Sequence, residues 1–218
     1  MAKLIESRFP LVEINTVSEY EMSFKLTPRR INENLVKITG INAKADARIK
    51  VKLNSLFYYP ARIPPSATRA VTLASIVDDD VDTNSFLKAI GMDELANFAE
   101  VTGKFPTLFM VNPDRDAVKR LLRNDPYNYI VVDPMAGGGS IPVEAKRLGF
   151  TVIAGDCNPL SYLLLRASIE FPAKFGRRLY ELVNKEAKAL IEYIKRELGE
   201  FYPREGKNIV FFLSVEHD

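Results

Sequence analysis

The rhythm of apolar and polar positions changes near residue 125. Before it, short apolar stretches such as Leu4-Ile5, Leu11-Val12 and Leu35-Val36-Lys37-Ile38 are broken by charges, and residues 1–60 give no helical periodicity. This part is expected to be irregular, with short strands or helices. Prolines hold Tyr58 to Pro65 extended, and Ser66 then fits as the N-cap of a helix through Ala70, Leu73, Ile76 and Val77, stopped by Asp78-Asp79-Asp80. Two short helices are expected next, Ser85 to Ile90 closed by Gly91 and Asp93 to Val101 closed by Gly103. Leu108-Phe109-Met110-Val111 reads as a buried strand, and Asn112-Pro113 as the start of a helix carrying Val118, Leu121 and Leu122.

From residue 129 the pattern is strict strand and helix alternation. Tyr129-Ile130-Val131-Val132-Asp133 is a short apolar strand ending in an acid, as expected of a parallel strand buried on both faces. A glycine-rich turn follows, then a helix from Ile141 to Leu148 closed by Gly149, a strand from Phe150 to Ala154, and a helix opened by Asn158-Pro159 that runs to about Glu170. A long amphipathic helix over 174–198 places Leu179, Val183, Leu190 and Ile194 on one face, and Asn208 to Val215 reads as a further strand. The organisation expected is an irregular and helical region over 1–124 followed by an α/β part over 125–218.

Composition narrows the function classes. The 218 residues are 47% hydrophobic and 27% charged, enough for one substantial core. Lys plus Arg number 30 against 28 acidic residues, so the whole chain lacks the charge of a dedicated non-specific nucleic-acid binder. Cys157 is the single cysteine and His217 the single histidine, which argues against a disulfide framework, a cysteine-rich zinc site or any metal centre built from this chain alone. Glu6, Glu13, Glu19 and Glu21 near the start are incompatible with a secretory or transit peptide, and no run approaches the ~20 apolar residues of a membrane span. A cytoplasmic location without membrane association is expected.

The turn Asp133-Pro134-Met135-Ala136-Gly137-Gly138-Gly139-Ser140 joins a buried strand to a helix, where an open parallel sheet places its ligand. A phosphate-binding P-loop needs Gly-Lys-Ser/Thr after its glycines, and here Ser140 runs into Ile141-Pro142 with no lysine. The dinucleotide fingerprint needs a third glycine where Pro142 stands. S-adenosylmethionine fits better: an acid ending the first strand and a small-residue loop receive its amino-acid end, and an acid ending the next strand pairs with its ribose hydroxyls. Asp133 and Asp156 occupy those two places. In Asp156-Cys157-Asn158, Cys157 is expected as a small packing residue near the adenine pocket, because no histidine is at hand to activate it. Tyr162 is a candidate cover for the adenine ring, although Leu163, Leu164 and Leu165 beside it suggest a core-building helix. His217 is expected to be exposed and without a role.

These residues resemble the amino-terminal part of the large adenine-specific DNA methylases that carry a zinc ribbon. The resemblance lies in Leu4 to Asn15, in Ser55-Leu56 through Ala61-Arg62, Pro64 and Ala67 to Val71 with Ala74 to Asp79, and in Asp133 to Ala145 with Asp156, Asn158-Pro159 and Glu170-Phe171-Pro172. The middle segment aligns with the family's Trp-Trp-Ala-Arg-Arg-Pro element, its paired tryptophans replaced by Tyr59 and Pro60. Residues 21–48 look like an insertion, and Lys50-Val51-Lys52-Leu53 replaces a basic, histidine-containing stretch of the family. The resemblance implies that the proline-containing element contacts the methionine end of the cofactor, which makes Arg62 and Pro64 site candidates. It also implies a Rossmann-like class I S-adenosylmethionine-dependent methyltransferase fold, incomplete in this chain, and DNA as substrate.

Amino-methylating enzymes of this kind use an Asn/Asp-Pro-Pro-aromatic loop to hold the exocyclic amine of a flipped base. The nearest candidate is Asp125-Pro126-Tyr127, one proline short, placed just before the first cofactor strand, and favoured as an ordinary turn. No catalytic residue is therefore assigned. The resemblance implies that the zinc ribbon and catalytic loop come after Asp218, so either a second polypeptide carrying both is the expected partner or the chain is a truncated product. Methylation of RNA or protein, or a non-catalytic cofactor-binding or interaction subunit, are the alternatives.

Overall fold

The computed structural model of the chain describes residues 2–22, 59, 63–94 and 108–201, with the backbone alone at 19, 20, 22, 110 and 200. Contacts define two compact units, Met1–Glu170 and Phe171–Asp218. The first spans the boundary expected between 124 and 125. The described chain is mixed α/β, mostly helical, with a single small parallel sheet among the described residues.

The N-terminal stretch expected to be irregular holds helices α1 (Leu4–Ser7) and α2 (Leu11–Met22). Its apolar residues are too sparse and too β-branched to announce a helix. Even so, Ile14, Val17 and Glu21 fall at i, i+3 and i+7 and are the buried positions among the described side chains of α2. Helix α3 (Pro65–Ala74) is capped by Pro64 rather than by Ser66 and ends three residues before Val77. Ser66 is one residue inside, and its hydroxyl bonds the Glu21 carboxylate at 2.7 Å instead of capping. Helix α4 (Thr83–Ala89) starts earlier than expected because Asp82 caps it, accepting from Ser85 N–H at 2.9 Å. Most of the helix expected over Asp93 to Val101 lies outside the described residues.

Leu108–Met110 is a 3-10 turn, not a strand. Its backbone finds partners on side chains instead of a ladder: Leu108 N–H donates to Glu21 at 2.7 Å, and Leu108 C=O accepts from Arg69 at 3.0 Å. Helix α5 (Arg115–Leu122) is capped by Asp114, two residues after the expected cap at Asn112, and ends in a left-handed Arg123.

Strands β1 (Ile130–Asp133) and β2 (Thr151–Ala154) pair in parallel, Ile130 with Thr151 through Asp133 with Ala154. Helix α6 (Ser140–Leu148) crosses between them and ends on Gly149 at φ +102°. It packs on α3 and on one side of the sheet, where Ala145, Leu148 and Phe150 join Leu4, Leu73 and Phe86 in one core. The other side of the sheet differs from the expectation of strands buried on both faces. Ile130, Val132 and Ile153 are exposed by 61%, 63% and 58%, whereas Val131 and Val152 pack inward. Helix α7 (Pro159–Leu165) is capped by Asn158 and passes into a π-helical turn, Arg166–Glu170.

In the second unit, α8 (Phe171–Phe175) precedes α9 (Arg177–Leu198), a 22-residue helix none of whose side chains is buried. The strand expected over Asn208 to Val215, and His217, lie outside the described residues. No helix among those described is long and apolar enough to cross a membrane.

Candidate functional site

The carboxyl ends of β1 and β2 are joined beyond their last ladder pair. Gly155 N–H donates to Asp133 C=O at 2.9 Å, and Ala136 N–H donates back to Gly155 C=O at 3.0 Å. This reciprocal pair holds the Asp133–Ser140 loop against the residues that follow β2. Gly137 (φ +53°) and Gly139 (φ +82°) adopt the left-handed backbone that bends the loop into α6, a conformation costly for residues with a Cβ. Gly139 is the N-cap of α6, and a Cβ there would come within 3.2 Å of Leu165 on α7.

Asp156 is the centre of the second segment. One carboxylate oxygen accepts from Gly137 N–H and the other from Asn158 N–H, both at 2.8 Å. These two bonds, Asn158 first, hold the Asp156 carboxyl below its ordinary value. The acid predicted for β2 is therefore tied directly to the glycine loop predicted after β1. Each carboxylate oxygen has about two lone-pair sites, so beyond these bonds and a weaker one from the Cys157 thiol Asp156 keeps acceptor capacity for a further donor such as a ribose hydroxyl. Asp133 carries one weaker bond, from Met135 N–H at 3.3 Å. A Cβ on Gly155 would meet nothing within 4 Å.

The structure thus gathers Asp133, Pro134, Met135, Ala136, Gly137, Gly138, Gly139, Ser140, Asp156, Cys157 and Asn158 at one end of the sheet. Cys157 is exposed as a free thiol, and Asn158 caps α7 by accepting from Leu160 N–H at 3.0 Å. Pro64 caps α3, its carbonyl accepting from the Thr68 N–H and hydroxyl. Arg62 lies outside the described residues. Tyr162 is exposed, with the Arg166 guanidinium 5.8 Å from its ring centre, and Leu163 is exposed beside it; Leu164 and Leu165 are buried.

Asp125-Pro126-Tyr127 lies at the opposite, amino end of β1. Asp125 caps a 3-10 turn (Pro126–Asn128), accepting from Tyr127 N–H at 3.0 Å. The Asp125 carboxyl is held low by that bond first and then by Lys119. One of its oxygens is engaged by the local turn and the other by Lys119 at 3.4 Å, and it lies away from the loop end of the sheet.

Two features were not foreseen. The Tyr59 ring lies along the glycine loop: a Cβ on Gly137 would be 3.1 Å from its ring, and one on Gly138 3.4 Å. Beneath the loop, Arg69 of α3 is fully buried and donates to Glu144 of α6 at 2.6 Å, to Ile90 C=O at 2.8 Å and to Leu108 C=O at 3.0 Å. Glu144 also accepts from Arg147 at 2.9 Å. The available signal was an arginine and a glutamate standing on the apolar faces of two helices, in Pro65–Ala74 and in Ser140–Leu148. Burial lowers the Arg69 pKa, and Glu144 counteracts it.

Among the described residues no group of His, Cys, Asp and Glu is placed to hold a metal ion. Comparison with family models, with curated proteins and with solved structures finds no match.

Proposed function

We propose that this chain is the S-adenosylmethionine-binding part of an adenine-N6 DNA methyltransferase, with a Rossmann-like arrangement built on β1, α6 and β2. The observation that carries the reading is the bond from Gly137 N–H to Asp156, which joins the glycine loop after one parallel strand to the acid after the next. The donor set suits the cofactor. Asp156 has acceptor capacity for the ribose hydroxyls, Asp133 supplies a negative charge for the amino-acid end, and the glycines let the ligand approach the backbone. The bound group would bring an activated methyl on a sulfonium.

The chain's own residues bind and orient in this reading; none is assigned to accept or move the proton of the target amine. Residues 1–218 hold no Asn/Asp-Pro-Pro-aromatic loop, so in this reading the catalytic loop and the zinc ribbon are supplied from outside them, by a second polypeptide or by more of the same one, in a cytoplasmic setting. That absence equally favours a second reading, a cofactor-binding subunit without catalysis of its own. RNA or protein in place of DNA changes only the substrate.

Calorimetric titration with S-adenosylhomocysteine tests the cofactor reading. Saturable heat is expected from the wild-type chain and none from Asp156→Ala with its melting transition retained. Absence of heat from the wild type would overturn it. Methyl transfer to DNA and to tRNA, measured with the second polypeptide present, separates the substrates.

A further inference from the structure

The glycine pair at 137 and 138 has two neighbours on the same short piece of backbone. Gly137 N–H is held by Asp156 at 2.8 Å. Against the same backbone lies the half-buried ring of Tyr59: its hydroxyl would be 3.2 Å from a Cβ on Gly137, and its inner edge 3.4 Å from one on Gly138. The ring therefore runs along the two glycines with its hydroxyl end at Gly137, the residue that Asp156 also holds. Gly137 is thus shared between the Tyr59 ring and the acid that follows β2.

We propose that Tyr59 is a direct contact of the ligand taken by the glycine loop, its ring forming one wall of the site and its hydroxyl end facing the same residue as Asp156. This rests on the cofactor reading above. It gives the absence of side chains at 137 and 138 a second physical cause, since side chains there would push out the ring that shields the loop from water. A ring that only anchored the segment before α3 would be indifferent to ligand.

The chain contains no tryptophan, so Tyr59→Trp places at the loop a single tryptophan that can be excited selectively beyond the tyrosine absorption band. Saturating S-adenosylhomocysteine is expected to shift its emission. By calorimetry, Tyr59→Leu is expected to weaken binding roughly three- to tenfold, the scale of one aromatic packing contact, and Tyr59→Phe to weaken it less. Melting curves of each variant report whether it folds; should Tyr59→Leu fail to melt cooperatively, the emission measurement decides. An emission unchanged at saturation, in a chain whose wild type gives saturable heat, removes Tyr59 from the site and leaves the cofactor reading standing. No heat from the wild type removes both.

Discussion

Arg69 and Glu144 form an ion pair at 2.6 Å in which neither side chain is more than 1% exposed. It crosses the interface between α3, which Pro64 caps, and α6, which follows the glycine loop. The remaining Arg69 donors hold the Ile90 and Leu108 carbonyls, so one guanidinium fixes three separate segments. Burying two charges is costly, but removing one partner is worse, because it strands the other without solvent.

Arg69→Met and Glu144→Leu are each expected to destabilise the chain by about 3–5 kcal/mol, with the double variant losing much less than the sum. Denaturant midpoints of the three variants give the coupling. Strictly additive losses would show that the two groups act independently despite their contact.

Glu21 makes a pH-dependent contribution of predictable sign. Burial raises its carboxyl above the ordinary 4.5, partly offset by hydrogen bonds from Ser66 and Leu108. The folded chain therefore keeps the Glu21 proton over a range in which the unfolded chain has released it. Stability from this group is full below the unfolded value and falls as pH rises through the folded one. The wild type's stability advantage over Glu21→Gln is thus expected to be larger near about pH 5 than near about pH 8. Chemical denaturation at both pH values checks it; an advantage that grows with pH contradicts the assignment.

Two glycines flanking β2 should respond in opposite ways to alanine. Gly149 sits at φ +102°, and a Cβ there would lie 3.1 Å from Pro126. Gly149→Ala is expected to cost at least about 1–2 kcal/mol, the penalty of left-handed backbone. Gly155 has neither constraint. Gly155→Ala is expected to stay within about 1 kcal/mol of wild type, on the stabilising side. Because Gly155 immediately precedes Asp156, its methyl is expected, on the cofactor reading, to weaken S-adenosylhomocysteine binding while the melting temperature holds. Unchanged affinity would place the ligand elsewhere.

The parts legible from sequence were those governed by near neighbours. Asp133, the glycines, Gly149 and Asn158 each act within a few residues, and the strand, loop, helix and strand series appears with them. The core-facing chemistry was not legible, because its partners are remote in the chain. Leu108 meets Glu21 from 87 positions away and Arg69 from 39, and those bonds convert an apolar run with strand character into a 3-10 turn. Arg69 meets Glu144 from 75 positions away, so although each stands on the apolar face of its own helix, nothing local pairs them. Tyr59 reaches the loop in the same way, across the whole of α3 and α5.

The uncovered side of the sheet provides a test of whether anything covers it in solution. Parallel strands are ordinarily packed on both faces, yet Val131 points into the core while Val132, its neighbour, is 63% exposed. For the isolated chain, Val131→Ala is expected to lose about 1–2 kcal/mol, two methyl-sized groups at roughly 0.8 kcal/mol each. Val132→Thr is expected to change stability by no more than about 0.5 kcal/mol, as at an ordinary surface position. The pair should be measured by denaturation over a range of protein concentrations. A loss at Val132 matching that at Val131, and growing with concentration, would mean that a second copy occupies the face. A matching loss independent of concentration would place another part of the same chain there, and in either case the face would not be free to receive a second polypeptide.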